Sequence, residues 1–523
     1  MPPAGLPDAA ALEARGATVG EIHVYVQNIF DLDDPREDRR LYRLANHLHV
    51  ASRERIVREQ LLFASGERLA AHRLAETERL LRGRNYLNDA WITPERYDPE
   101  RNRVDLAVTV RDVWTLDPSL ALGRAGGSNR SRFGLTEKNL FGYGTQLAVS
   151  RSRDVDRTST LFAFSDSNLH GSWWQLGLTD ADNSDGRARA FDLERPFYSL
   201  ETRHAFGTQL IDATSVVSRY SGGQILDQFT QHARQYGAYF GASAGLIDGW
   251  SQRWLAGARF EATAFERRAG LALAPLPLPT DRRYAYPWLG WQIIEDRYAK
   301  SENLDLIGRT EDLYLGRSLY TELGWSRPAF DGAARALLAR ASVLSGWQFD
   351  ASRDLFVSGA FSGRWQDGTL KNASLSGGGR YFHRYSHRQL FYASLSATAT
   401  RALDADQQVL LGGDSGLRGY PLRFQGGSAS ALLTLENRVF TDWYPWRLLR
   451  VGGVAFFDAG RTWGRDFNGA APLGLLKDIG LGMRFGNNRS ALGNVVHVDL
   501  SYALDAPVGT KHFQVTIETK DRF

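Results

Sequence analysis

Residues 411–421 read Leu-Gly-Gly-Asp-Ser-Gly-Leu-Arg-Gly-Tyr-Pro, the stretch of this chain that most invites a chemical reading. Ser415 sits between an acid and a glycine, as a nucleophilic serine can. A hydrolase elbow needs Gly-x-Ser-x-Gly, however, and Leu417 stands where the second glycine is required. His47 and His49 could start a metal site, but no third ligand stands nearby. His383 and His387 flank Arg384 where a zinc hydrolase needs a glutamate. The chain has no cysteine, which excludes thiol catalysis, Cys-ligated zinc and iron–sulfur clusters. No phosphate-cradling or dinucleotide-binding glycine motif occurs. Neither metal nor cofactor is expected, and the chain reads as non-enzymatic. Charge pairing on strands remains. Glu436 and Arg438 share one strand face, Asp458 and Phe456 another, and Gly480, Gly482 and Arg484 a third.

Those residues need strands, and the chain supplies them. After about residue 119 the apolar period is two. Val496, Val498, Leu500 and Tyr502 alternate with polar or small residues, and full charges fall on the opposite face. Such a strand fits a wall between lipid and water. The alternative is a soluble β-sandwich, but the pattern runs for roughly 400 residues, too long for one sandwich. Glycine (52 residues) and aromatics (12%) are abundant, and no apolar run reaches the ~18 residues of a membrane helix. Lys+Arg (63) nearly balance Asp+Glu (59) and form no basic tract, so nucleic acid is not an expected partner. At about 25 residues per strand and loop, residues 119–523 make a 16-stranded antiparallel barrel. Trp443, Tyr444, Trp446 and Trp463 suit interfacial girdles.

Residues 20–118 differ. Ile22, Val24 and Val26 alternate. Ser52 to Phe63 and Leu69 to Leu81 carry helical spacing, ended by Gly66 and Gly83. Val104 to Val110 alternate again. The expected order is β-α-α-β-β. Residues 1–19 read as a flexible segment without a secretory signal.

Several motifs together resemble the BamA/TamA superfamily of outer-membrane proteins. Leu417-Arg418-Gly419-Tyr420 is similar to its (Val/Leu)-Arg-Gly-(Phe/Tyr) loop motif. Leu435-Glu436-Asn437-Arg438, Phe456-Phe457-Asp458-Ala459-Gly460 and Gly480-Leu481-Gly482-Met483-Arg484 resemble the strand motifs that follow it. Residues 137–144 resemble the first barrel strand. Residues 20–118 resemble a POTRA domain, with Asn85-Tyr86-Leu87 leading into the second strand. Phe513, Val515, Ile517 and a final Phe523 resemble a C-terminal targeting strand; Asp521 departs from it.

The resemblance implies an Arg418-bearing loop folded into the lumen. There Arg418, followed by Gly419 and Tyr420, would meet Asp458 and Phe456, its guanidinium pairing with one and stacking on the other. The alternative is that Arg418 and Asp458 are unrelated solvated charges. The resemblance further implies an outer-membrane location with the N-terminal domain in the periplasm. The activity it implies is assembly, insertion or translocation of client polypeptides bound through that domain. Its expected partners are outer-membrane lipid, the clients, and a periplasmic or inner-membrane protein. A passive porin-like channel tethered by the N-terminal domain is the alternative.

Overall fold

A computed structural model of the chain describes residues 6–268, 276–332, 335–487, 489–490 and 495–520. Its larger part is a closed antiparallel barrel of twenty strands, from Leu116–Ala125 to Phe513–Lys520. The expected count of sixteen is therefore wrong. The error lies in the length allotted to each strand. The first six barrel strands take only 9 or 10 residues each, whereas Gln224–Ile247 takes 24.

The alternation of the sequence becomes inside and outside. Leu481 and Leu500, cross-strand partners, face outward and are more than half exposed. On the same two strands Arg484, His497, Asp499 and Ser501 face inward and are buried. Exposed Leu120, Phe133, Leu289, Leu323, Leu375 and Leu395 extend the apolar surface round the barrel. Closure joins the first and last wall strands, so the sheet has no free edge strand, as spanning a bilayer with strands requires. Trp443, Trp446 and Trp463 are exposed at strand ends, while the Tyr444 ring lies 3.9 Å from the Arg450 guanidinium carbon.

The N-terminal part is α+β. Its strands Thr18–Gln27, Leu87–Asp98 and Arg103–Asp112 form one sheet in the order first, third, second, with the first and third parallel. The helices Ala9–Ala14, Arg40–Leu48, Glu54–Arg58 and Ala71–Arg82 make the order α-β-α-α-α-β-β. This differs from the expected β-α-α-β-β, and a POTRA domain is not evident. Residues 1–19 also include ordered structure, because Leu12 on the first helix is wholly buried in the domain core with Val57, Leu81, Leu106 and Val108. The helix expected from Ser52 shrinks to Glu54–Arg58, little more than one turn. Ser52 does not cap it: its backbone N–H donates to Asp112 (2.7 Å), and its hydroxyl accepts from Asn139 at the barrel (2.9 Å).

This domain sits across one mouth of the barrel, the near mouth. Tyr42 donates to the Trp446 carbonyl (2.7 Å), and Arg73 pairs with Glu201 (2.7 Å). The strand orientations place the 402–428 loop at the far mouth.

Leu481→Arg sets a charge at mid-strand on the outer face, and its expected cost is ~2–4 kcal/mol in reversible folding into lipid vesicles. Ser396→Arg, on the lumen side of another wall strand, is expected to change folding by well under that amount in the same measurement.

Candidate functional site: a lumen filled from both mouths

From the far mouth, the loop between Gln389–Arg401 and Ala429–Phe440 turns inward, braced by a small pair of strands, Val409–Leu411 and Gln425–Gly427. Its apolar residues Leu411, Leu417, Tyr420 and Phe424 pack with Leu476 and Ala503 of the wall. The Tyr420 hydroxyl donates to the Lys477 carbonyl (2.9 Å). The Arg418 carbonyl accepts from Ser501 (2.9 Å). These contacts deliver the Arg418 side chain to the lumen wall.

Arg418 grips Asp458 with two parallel bonds, Nε to Oδ2 (2.7 Å) and Nη2 to Oδ1 (2.9 Å). Its Nη1 donates to Glu436 (3.0 Å). Its guanidinium lies 3.4 Å from the centre of the Phe456 ring. The structure thus places together the loop arginine and the two residues that share one face of the strand Leu449–Trp463. It also adds Glu436, assigned from the sequence only to a strand motif. Burial works against the Arg418 charge, but Asp458 first, then Glu436 and Asp499, outweigh it and hold the proton above the ordinary arginine value.

The remaining motif residues complete the layer. Arg438 donates to the other oxygen of Glu436 (2.8 Å), and Arg484 pairs with Asp499 (2.5 Å). Gly480 lies opposite Phe456 and Gly482 opposite Asp499 in the strand register. A Cβ at Gly480 would strike the Phe456 ring, and one at Gly482 the Asp499 carboxylate. The glycines therefore leave flat wall for the ring and the carboxylate. Gly419 serves the loop in the same way, since a Cβ there would come within 2.6 Å of Asp478. Phe513 and Val515 point outward on the last strand. Phe523 lies outside the described residues.

The sequence did not reveal the second insertion. Between Arg282–Glu295 and Arg317–Ser326 the chain leaves the wall at the near mouth and forms a hairpin, Tyr298–Glu302 with Thr310–Tyr314. Its tip residues Leu304 and Ile307 pack against Phe382, Leu390, Val454 and Phe456 inside the barrel. The Leu304 carbonyl accepts from Arg438 (2.8 Å). Arg380 of the wall holds Asp305 (2.6 Å). At its base the hairpin is tied to the N-terminal domain. Arg82 forks onto Asp312 with two bonds of 2.7 Å, Lys300 pairs with Glu78, and Thr310 donates to Asp89 (2.8 Å). The tip is shaped by Glu311, which accepts the backbone N–H groups of Leu304, Asp305 and Leu306. Its two strands, Tyr-Ala-Lys-Ser-Glu and Thr-Glu-Asp-Leu-Tyr, are short and lack the apolar alternation that made the wall legible, so the sequence pattern did not mark them.

Fold and site together define a transmembrane β-barrel of the outer-membrane type, its lumen occupied by a loop from one mouth and a hairpin from the other. No protein-family model and no curated relative matches the chain. Solved structures similar to it include BamA from Haemophilus ducreyi lacking POTRA domains 1-3, at 11% identity and TM-score 0.38, over 95% of this chain and 84% of that one. CdiB from Acinetobacter baumannii is 12% identical with TM-score 0.48, over 96% and 73%. The FrpB iron transporter from Neisseria meningitidis is 9% identical with TM-score 0.41, over 84% and 87%.

Arg418→Ala leaves Asp458 buried without its cation and Glu436 with Arg438 alone, and breaking a buried pair of this kind costs about 3–5 kcal/mol. Protease cleavage within residues 402–428 of the folded protein is expected to rise sharply. Arg418→Lys is expected to restore little, because an ammonium has no fork and does not stack as guanidinium does. Burial pushes the Glu311 carboxyl up to about 7. Its protonated form is therefore the one the fold prefers, so its contribution is complete at acid pH and is lost as pH rises through that value. Single-channel conductance is expected to be larger at pH 8.5 than at pH 5.5, and Glu311→Gln to flatten the difference.

Proposed function

We propose that the protein acts at the bacterial outer membrane in the assembly, insertion or translocation of client polypeptides, with its N-terminal domain in the periplasm. It works without a catalytic centre of its own. The motif resemblance supports this reading, and one structural observation carries it. The barrel closes between Phe513–Lys520 and Leu116–Ala125 through a single described bridge, Ile517 to Arg124. Every other neighbouring pair of wall strands shares at least seven paired residues. One ion pair, Arg130 to Glu518 (2.8 Å), reaches over the seam. A wall that parts at one seam, round a lumen blocked by elements that ion pairs hold, suits a protein that passes or releases polypeptide on a signal. A passive diffusion channel needs the opposite arrangement, a permanently open lumen.

The cysteine-free chain allows a direct test. Arg124→Cys with Ile517→Cys is expected to form a disulfide across the seam. Oxidised, the variant is expected to fail in complementation and to recover when reductant is added. Full activity of the oxidised form sinks the seam reading. In planar bilayers the wild type is expected to be mostly closed, with Arg82→Ala, which frees the hairpin base, opening it more often. A large, steady wild-type pore decides for the diffusion channel.

A further inference from the structure

One sector of the wall carries charge on its outer face. Residues opposite each other on antiparallel strands point to the same side, so the register can be followed as rungs across the surface. One rung is apolar: Leu178, Phe191, Leu210 and Tyr236. Leu210 and Tyr236 are exposed and mark this face as the outer one. The next rung toward the far mouth is charged: Asp180, Arg189, Asp212 and Arg234. The rung beyond it brings Arg151, Asp182 and Arg187.

The opposite wall has no such step. There Val357, Phe361, Leu375 and Trp365 continue the apolar face almost to the far end of their strands. The charged step is therefore absent from these two strands.

Within the sector cations exceed anions. Arg151, Arg153, Arg187, Arg189 and Arg234 stand against Asp180, Asp182 and Asp212. Arg187 forks onto Asp180 (2.9 and 2.7 Å), which also lies 3.5 Å from Arg189. Asp212 lies 3.5 Å from Arg234. The carboxylates thus space the guanidinium groups without using up their donors, since each guanidinium carries five N–H groups. Directly beside them is a groove of about 540 Å³ with Phe162, Leu178, Phe191, Leu210 and Tyr236 on its apolar side. Its polar side is formed by Asp180, Arg187, Arg189 and Asp212.

The charged rung runs on into exposed Phe162 and Val149 on the neighbouring strands, so the step from apolar to charged surface, where acyl chains give way to head groups, falls between these strands and the sector. An excess of outward arginines at that depth calls for an anion, and the planar guanidinium matches phosphate oxygens two at a time. We propose that this sector binds a membrane lipid with a phosphorylated head group. Arg187, Arg189 and Arg234 hold the phosphate, and the groove below takes the acyl chains. The proposal rests on the barrel lying in a bilayer and is independent of any client.

The test uses the full chain folded in non-ionic detergent, with diphosphoryl lipid A, the same lipid dephosphorylated, and inorganic phosphate as probes. The wild type is expected to bind the diphosphoryl form about tenfold more tightly than the dephosphorylated one. The triple variant Arg187→Gln, Arg189→Gln, Arg234→Gln is expected to lose about that tenfold preference. If the triple variant does not fold, as judged by heat-modifiable migration, Arg189→Gln alone serves, with a loss of about threefold. Equal binding by wild type and variant overturns the proposal. Displacement of the lipid by millimolar inorganic phosphate also overturns it, since the site would then take a free anion and not a lipid.

Discussion

One carboxylate, Glu436, joins the two halves of the plug. Its first oxygen takes Arg418, which the far loop brings in, and its second takes Arg438, whose other end holds the hairpin tip at the Leu304 carbonyl. Neither arginine keeps its full set of partners without that carboxylate. All three groups are buried, so their charges have no water to fall back on. The desolvation cost of such a layer is met only while every member is in place. Loop and hairpin, which enter from opposite mouths and share no chain connection closer than the wall, are therefore bound into one state.

Asp458 and Phe456 complete that state from the side. The bidentate bond fixes the plane of the Arg418 guanidinium, and the same group lies over the ring. Gly480 makes this geometry accessible by leaving the wall bare opposite the ring. Through Arg438 and the hairpin the chain of contacts runs on to Asp312 at the hairpin base, and from it to Arg82 and Glu78 of the N-terminal domain. A movement of the helix Ala71–Arg82 would be felt first at the hairpin base.

How much of this the sequence disclosed depended on the kind of signal each part sends. Alternation disclosed the wall and its two faces, because a lipid-facing leucine and a lumen-facing charge differ in every property that matters for burial. Asp458 and Phe456 were legible as one surface because two residues apart on a strand means the same face, and the loop motif supplied Arg418 as the group to meet them. The strand number was not legible, since strands of 8 to 24 residues give the same period-two pattern and length divides among them unevenly. Hairpin 298–314 was hidden because its strands are five residues each and carry no apolar alternation. The helix Arg40–Leu48 carries an apolar stripe at helical spacing, Leu41, Leu44 and Leu48, but the structure leaves that stripe exposed and buries Tyr42 instead, so the sequence signal was present and passed over.

The hairpin imposes an order of events on the newly made chain. Both its ends are rooted in wall strands, so it reaches the lumen only as those strands take their places. Its base contacts join residues more than 220 positions apart, and the joint between residues 517 and 124 spans nearly the whole wall. Contacts between such distant segments form late, because loop entropy is lost before they are made. The terminal strands are therefore expected to meet late, and the base contacts of the hairpin to form late with them. Until they meet, the first and last wall strands are bare edges, the form of a sheet most open to wrong pairing.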